Sequence, residues 1–283
     1  MARTLDQLLH ATRTRLQAAG IDKPGLEARL LLGAALEVSA PYLVAHGTEP
    51  VSDAQQAAVE ALIARREAGE PVAHILGRRG FWTLELGVSP ACLIPRPETE
   101  LLVEHALAAI DASGRARPRV LDLGTGSGAI ILALKAERPQ IHAVASDRSR
   151  DALGQARANA REHGLEVLFL AGEWLAPLSP EYRFDVIVSN PPYIAPGDPH
   201  LTRGDLRFEP ATALVAEDAG LADLRAITDH ARDHLAPGGR LILEHGFDQG
   251  ERVRQCLAAT GYQAIASHRD VAGHERITTA RRP

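Results

Sequence analysis

The sequence predicts an α/β protein: a mostly parallel, seven-stranded sheet with flanking helices, preceded by a small helical domain and a β-hairpin linker. Three observations predict it. From about residue 118 onward, short apolar runs alternate with helical patterns, the signature of βαβ units whose sheet is covered on both faces. A glycine-rich loop follows the first of those runs. The first 72 residues show helical periodicity only.

In chain order, residues 1–72 form the helical domain. Leu5, Leu8, Leu9 and Leu16 recur at helical spacing, Leu26, Leu30, Leu31 and Leu36 do so after Pro24-Gly25, and Val59, Leu62 and Ile63 follow the candidate cap Ser52. The segment is nearly charge-balanced and is expected to help dock a protein partner. Residues 73–95 are the linker: HILGRRGFWTLELGVSP holds two β-rich runs around a Gly, which suits a hairpin. Residues 96–283 form the α/β domain. Glu98, Thr99 and Glu100 open a helix through Leu101, Leu102 and His105, acidic residues being favoured in a first turn. Strands are expected at Val120–Leu123, His142–Ser146, Val167–Leu170, Phe184–Ser189 and Arg240–Glu244, with two more near Tyr262–Ser267 and Arg276–Ala280.

Composition narrows the function. The chain has 283 residues, 45% hydrophobic, and a net charge of −5. That balance weighs against long stretches of phosphate contact with nucleic acid. No G-x-x-x-x-G-K-[ST] loop occurs, which argues against a P-loop nucleotidase. Cys92 and Cys256 are too few for a metal site or a disulfide framework. His230 and His234 stand at i, i+4, but Ala231 replaces the Glu of H-E-x-x-H, so no metal is expected. No apolar run approaches 18 residues and the N-terminus lacks a signal-peptide core. A soluble, cytoplasmic protein is expected.

Asp122-Leu123-Gly124-Thr125-Gly126-Ser127-Gly128 sits between the first strand and its helix. Glycines there let the backbone approach a ligand and adopt positive φ, and open α/β sheets bind ligands beyond the carboxyl ends of their strands. The spacing is G-x-G-x-G rather than the dinucleotide G-x-G-x-x-G. It therefore favours S-adenosylmethionine, which has no pyrophosphate. Asp147 ends the next strand, where a carboxylate can accept from both ribose hydroxyls. A helix-capping role is the alternative, and Ser149 can fill that instead. Asp122 would hold the cofactor's ammonium or brace the loop.

Phe184–Ser189 runs into Asn190-Pro191-Pro192-Tyr193. Two prolines fix φ twice and remove two backbone donors, so the loop presents acceptors. The Asn190 carbonyl and the Tyr193 ring complete a site for a flat group bearing an NH₂. Acceptors on both hydrogens of an amide nitrogen would stabilise the positive charge that grows on it as it attacks a methyl group. No general base is required.

LIPRPETE (93–100), DLGTGSG (122–128), SNPPYI (189–194), RFEPATAL (207–214) and LEHG (243–246), with HILGRRGFW and RDVAGHERIT, closely resemble the bacterial peptide chain release factor glutamine N5-methyltransferase family along nearly the whole chain. The resemblance implies a Rossmann-like class I methyltransferase domain and S-adenosyl-L-methionine as cofactor. The implied partner is a class-1 release factor, methylated on the glutamine of its Gly-Gly-Gln motif, with no direct role for nucleic acid. It also implies that Gly124, Thr125, Gly126, Ser127, Gly128, Asp147, Trp174 and Asn190 contact the cofactor or lie beside it. Asn190, Pro191, Pro192 and Tyr193 would receive the glutamine, with Asn190, Pro191 and Tyr193 as the catalytic set. Glu173 departs from the family's usual Asp before the tryptophan. Two competing readings are a nucleic-acid base methyltransferase, which needs a base-flipping pocket and a phosphate-binding surface, and an inactive binding protein.

Overall fold

The structure is a computed structural model that describes residues 3–283. They form two compact units, the first running to Gly77 and including Arg203–Phe208, the second comprising Arg78–Thr202 and Glu209–Pro283.

The first unit is helical: α1 (Leu5–Ala18), α2 (Pro24–Leu36), α3 (Ala40–Ala45), α4 (Asp53–Glu67) and α5 (Val72–Leu76). Thr4 and Ser52 each head a capping box, with Gln7 and Gln55 as the reciprocal partners, which satisfies two amide donors at each helix start. Leu8, Leu16, Leu31, Leu32, Leu43, Val59 and Ile63 form its core. The apolar stripe of α2 runs through Ala28, Leu31 and Leu32. Leu26 and Leu30 lie on another face and stay exposed, so four leucines at near-helical spacing overstate how many face inward. Arg66 is buried and pairs with Glu27 at 2.6 Å and with Asp205 at 3.1 Å. The second of these pairs fastens Arg203–Phe208 to this unit, although the segment falls within the 96–283 span expected from sequence to be the α/β domain.

The second unit opens with the hairpin β1 (Arg78–Phe81) and β2 (Leu84–Gly87). Its turn falls at Trp82-Thr83, and Gly80 lies inside β1. Trp82 takes φ +55° and is held there by its backbone N–H on Glu100 (2.9 Å) and its indole N–H on Glu137 (2.8 Å). Seven further strands follow: β3 (Arg119–Leu123), β4 (His142–Asp147), β5 (Leu168–Ala171), β6 (Phe184–Ser189), β7 (Leu235–Glu244), β8 (Gln263–Arg269) and β9 (Glu275–Arg281). They make one sheet in the order β5-β4-β3-β6-β7-β9-β8. β3 to β7 pair in parallel, while β9 runs antiparallel to β7 and to β8. Helices α6 (Glu100–Ala112), α7 (Ala129–Glu137), α8 (Arg150–Glu162), α9 (Ala222–His234) and α10 (Gly250–Ala259) flank it.

Side chains alternate between the two faces as a pleated strand requires. Val186 and Val188 enter one core with Leu102, Val103 and Ile131, whereas Ile187 between them enters the other with Leu224, Ile227 and Leu257. The strand order places the site. The chain moves outward from β3 to β5, then returns to lay β6 on the other side of β3. The carboxyl ends of β3 and β6 therefore flank a topological switch point, the usual ligand position in such sheets. The glycine loop follows one, and Asn190-Pro191-Pro192-Tyr193 follows the other.

Candidate active site

Three glycines shape the loop after β3. Gly124, Gly126 and Gly128 have φ of +71°, +57° and +86°, values that L side chains adopt at a cost. The backbone N–H groups of Gly124 and Thr125 donate to Ser146 O on β4. The Thr125 hydroxyl donates to Asp122 Oδ2 at 2.7 Å. Asp122 is fully buried and its Oδ1 has no hydrogen-bond partner among the described residues. Burial, with Asp147 nearby, pushes its carboxyl up to about 7. Such an orphaned acceptor is costly unless a ligand completes it.

Asp147 closes β4. Its Oδ2 accepts from Gly126 N (2.9 Å) and its Oδ1 from Ser149 N (2.8 Å). Ser149, not Asp147, caps α8, accepting from Ala152 N at 3.2 Å. Trp174, at φ +45°, is pinned by its carbonyl, which accepts from the Ser146 hydroxyl at 2.8 Å. Its ring lies over Gly124, where an added Cβ would come within 3.1 Å. Glu173 is exposed and does not line the cleft.

These elements surround an open cleft. Gly124, Thr125, Gly126, Ser127, Asp147, Trp174, Asn190 and Pro192 line it. Gly128, Pro191 and Tyr193 do not. Gly128 has another duty: a Cβ there would press Leu132 at 3.0 Å and Ala156 at 3.3 Å, where α7 and α8 pack. The Tyr193 ring packs against the second core, and its hydroxyl donates to Glu244 Oε1 at 3.4 Å.

The Asn190 Nδ2 donates to Thr99 Oγ1 at 3.1 Å, leaving Oδ1 as the end of the amide open to a ligand. The loop beyond is fixed on several sides. Tyr193 O accepts from Gln249 Nε2 at 3.0 Å, and Ile194 exchanges backbone hydrogen bonds with Leu214 and Ala216. Across the cleft, Glu209 is buried, accepts from Ile94 N at 3.1 Å and pairs with Arg96. It thereby joins the LIPRPETE and RFEPATAL segments.

Sequence reasoning missed Thr99, Glu209 and Glu244 as members of this constellation. It also missed the cleft wall given by Phe81, Cys92 and Arg148. The Cys92 thiol is pushed up to about 11 by burial, so it is an apolar wall and not a nucleophile. His230 and His234 are engaged through Nδ1 with the backbone carbonyls of Ala226 and Tyr182.

A parallel sheet with an antiparallel C-terminal pair, a G-x-G-x-G loop and an acceptor loop facing one another across the switch point define a class I methyltransferase domain. Its fold matches a methyltransferase from Pyrococcus furiosus (TM-score 0.54, 18% identity, 79% of this chain and 97% of that one). It also matches the Thermus thermophilus 16S rRNA N2 G1207 methyltransferase (TM-score 0.53, 21% identity, 73% and 50%). Residues 97–247 match the methyltransferase small domain family, and residues 7–77 match the PrmC N-terminal domain. The release factor glutamine methyltransferase of Xylella fastidiosa is 51% identical over 260 residues, 91% of this chain and 93% of that one. Those of Vibrio cholerae and Escherichia coli are 47% and 45% identical over 98% and 95% of this chain and 96% and 95% of theirs. The chain belongs to the release factor glutamine methyltransferase family.

Proposed function

We propose that this chain transfers the methyl group of S-adenosylmethionine to the side-chain N5 of the glutamine in the Gly-Gly-Gln motif of class-1 release factors, and so modulates translation termination in the cytoplasm. The observation that carries the reading is the Asn190 amide. Its nitrogen is tied back to Thr99, and its carbonyl is left free at the wall of the cleft. Among the described residues, no helix is long and apolar enough to cross a membrane.

The residues of the cleft fit the cofactor. Each Asp147 oxygen accepts one backbone N–H and keeps a further acceptor site for a ribose hydroxyl. The unpartnered Asp122 Oδ1 suits a cationic ammonium, which would also draw that raised carboxyl back to its charged form. S-adenosylmethionine supplies an electrophilic methyl group on a sulfonium. This chain's residues do the rest. Asn190 Oδ1 accepts one amide hydrogen of the target glutamine, and the backbone carbonyl of Asn190 or Pro191 accepts the other. Both acceptors gain strength as positive charge develops on nitrogen, which is where catalysis by preorganised dipoles acts. They also hold the nitrogen in line for attack. Pro191 and Pro192 bring no competing N–H to the loop. The methylated nitrogen is acidic enough to shed its proton to water.

Two expected outcomes follow. Asp147→Ala raises the Michaelis constant for the cofactor more than it lowers turnover, because ribose contacts persist from ground state to transition state. Calorimetric titration checks it, and unchanged affinity removes the assigned role. A short Gly-Gly-Gln peptide is a much poorer substrate than the folded release factor, because contacts remote from the glutamine, with residues 1–72 as the docking domain, help position it. Equal kcat/KM for peptide and protein overturns that docking role.

A further inference from the structure

One wall of the cleft is anchored at both ends and tied in the middle by a single side chain. Residues 209–216 form this strap. At its start Glu209 is buried, accepts from Ile94 N at 3.1 Å and pairs with Arg96. At its end Ile194 N donates to Leu214 O and Ala216 N donates to Ile194 O, both at 2.9 Å. Leu214 and Ala216 are buried. Between these anchors Pro210, Thr212 and Ala213 line the cleft, and Ala211 and Thr212 are exposed. The turn there closes on itself, with Ala213 N donating to Pro210 O and Val215 N to Ala211 O.

The tie is Arg148. It follows Asp147 at the end of β4, lines the same cleft, and donates from Nη2 to Thr212 O at 3.0 Å. The bond joins the strand end that carries Asp147 to a strap that is itself hydrogen-bonded to the loop beyond Asn190. Arg148 is exposed, and so is its bond. Water competes for such a bond, so it opens far more readily than the buried anchors at the two ends. A strap pinned at both ends moves in its middle, and its middle is the short-chain run Ala211-Thr212-Ala213.

We propose that Arg148 is a latch: closed on Thr212, it holds residues 210–213 across the path of the cofactor, and S-adenosylmethionine and its demethylated product exchange when the latch is open. Arg148 acts through the strap and is a positioning residue. The proposal rests on the reading of this cleft as the cofactor site.

A latch has a kinetic signature that a plain ligand contact lacks. The Arg148–Thr212 bond joins protein to protein, so it is the same bond in free and occupied enzyme. A bond with no preference between those states cannot change affinity. It scales entry and exit by one factor, the fraction of time the strap is open. A guanidinium that simply touched the ligand would slow its exit and leave its entry alone. A side chain with a purely structural role would change neither rate constant. Closure of such segments over a bound cofactor also excludes water from the reacting groups and delays product release.

The test is stopped-flow binding of S-adenosylhomocysteine to the full chain, followed by the fluorescence of Trp174 in the cleft wall. The probe's ammonium and carboxylate balance, so loss of an arginine charge does not alter its long-range steering. Arg148→Met keeps an unbranched apolar stem and removes the donors. The fold should persist, because Arg148 is exposed and outside both apolar cores. Association and dissociation rate constants are both expected to rise about 3- to 10-fold, the scale of one hydrogen bond. Their ratio, the Kd, should stay within about 2-fold of wild type, as a bond common to both states requires. Unchanged rate constants overturn the proposal. A rise in dissociation alone overturns it too, since it would make Arg148 a ligand contact. If Asp147→Ala loses affinity for the same probe while Arg148→Met leaves both rate constants as they were, the reading of the cleft stands and only the latch fails.

Discussion

Asn190→Ala is expected to lower the single-turnover rate of methyl transfer roughly 10²–10³-fold, the loss seen on deleting one preorganised hydrogen-bonding group aimed at a developing charge. The mutation removes an acceptor whose interaction strengthens as the target nitrogen becomes positive. Cofactor affinity should change far less, since the proposed ribose, loop and ring contacts are those of Asp147, Gly124–Ser127 and Trp174, not of Asn190. The fold should persist, because Asn190 lies beyond the end of β6 and outside both apolar cores. Asn190→Asp is the informative companion. It keeps an acceptor oxygen but loses the Nδ2 donor that holds Thr99. Its activity should fall between those of Ala and Asn. Single-turnover rates at saturating cofactor, with circular dichroism as the control for folding, decide the matter. Near-normal transfer by the Ala variant contradicts the mechanism.

Gly220→Ala should have the second large effect. Gly220 has φ +82°, and a Cβ there would collide with the Tyr193 backbone carbonyl and come within 2.7 Å of Gln249 Nε2. Left-handed backbone alone costs an L residue about 1–2 kcal/mol. The collision is with main chain, which cannot rotate away. Either the protein loses more than about 2 kcal/mol of stability, or the loop carrying Asn190 moves and transfer falls by at least an order of magnitude, given how steeply rate depends on ångström-scale placement. Gly238→Ala is the matched control. Its φ is +78°, but nothing lies within 4 Å of the added Cβ, so only the backbone term remains and transfer should be near normal. Chemical denaturation and single-turnover rates of the pair separate strain from collision. Equal behaviour of the two would show that the Tyr193 loop is not held where the structure has it.

The parallel strands were legible because each is a short apolar run ended by Gly, Asp or Asn. β7 is the instructive exception. It begins at Leu235 rather than Arg240, running through Pro237-Gly238-Gly239, and its pairing with β6 shifts register between Phe184 and Val186. A Pro-Gly-Gly run reads locally as a turn, and only the neighbouring strand shows that it is an irregular part of the ladder. The position of the hairpin turn depends on distant contacts in the same way: Glu100 and Glu137 let Trp82 take a conformation that sequence assigns to glycine.

The site divides along the same line. The glycine loop, Asp147 and the Asn190 loop carry local signals, being strand ends with special backbone chemistry. Thr99, Glu209 and Glu244 carry none. Asn190 meets Thr99 across 91 residues, Arg96 meets Glu209 across 113, and Tyr193 meets Glu244 across 51. Their motifs could be quoted, but which atoms they hold depends on the switch point that brings β3, β6 and β7 together. Trp174 was marked by resemblance alone; its seat over Gly124 gives that marking a physical reason.

The most direct test offers S-adenosylmethionine labelled in its methyl group to the enzyme with folded release factor, duplex DNA and ribosomal RNA side by side, followed by mass spectrometric mapping of the product. The account predicts that label enters the release factor alone, on the side-chain nitrogen of the glutamine in its Gly-Gly-Gln motif. Label in DNA or RNA with the release factor unmodified, or label on any other residue of the release factor, would contradict it.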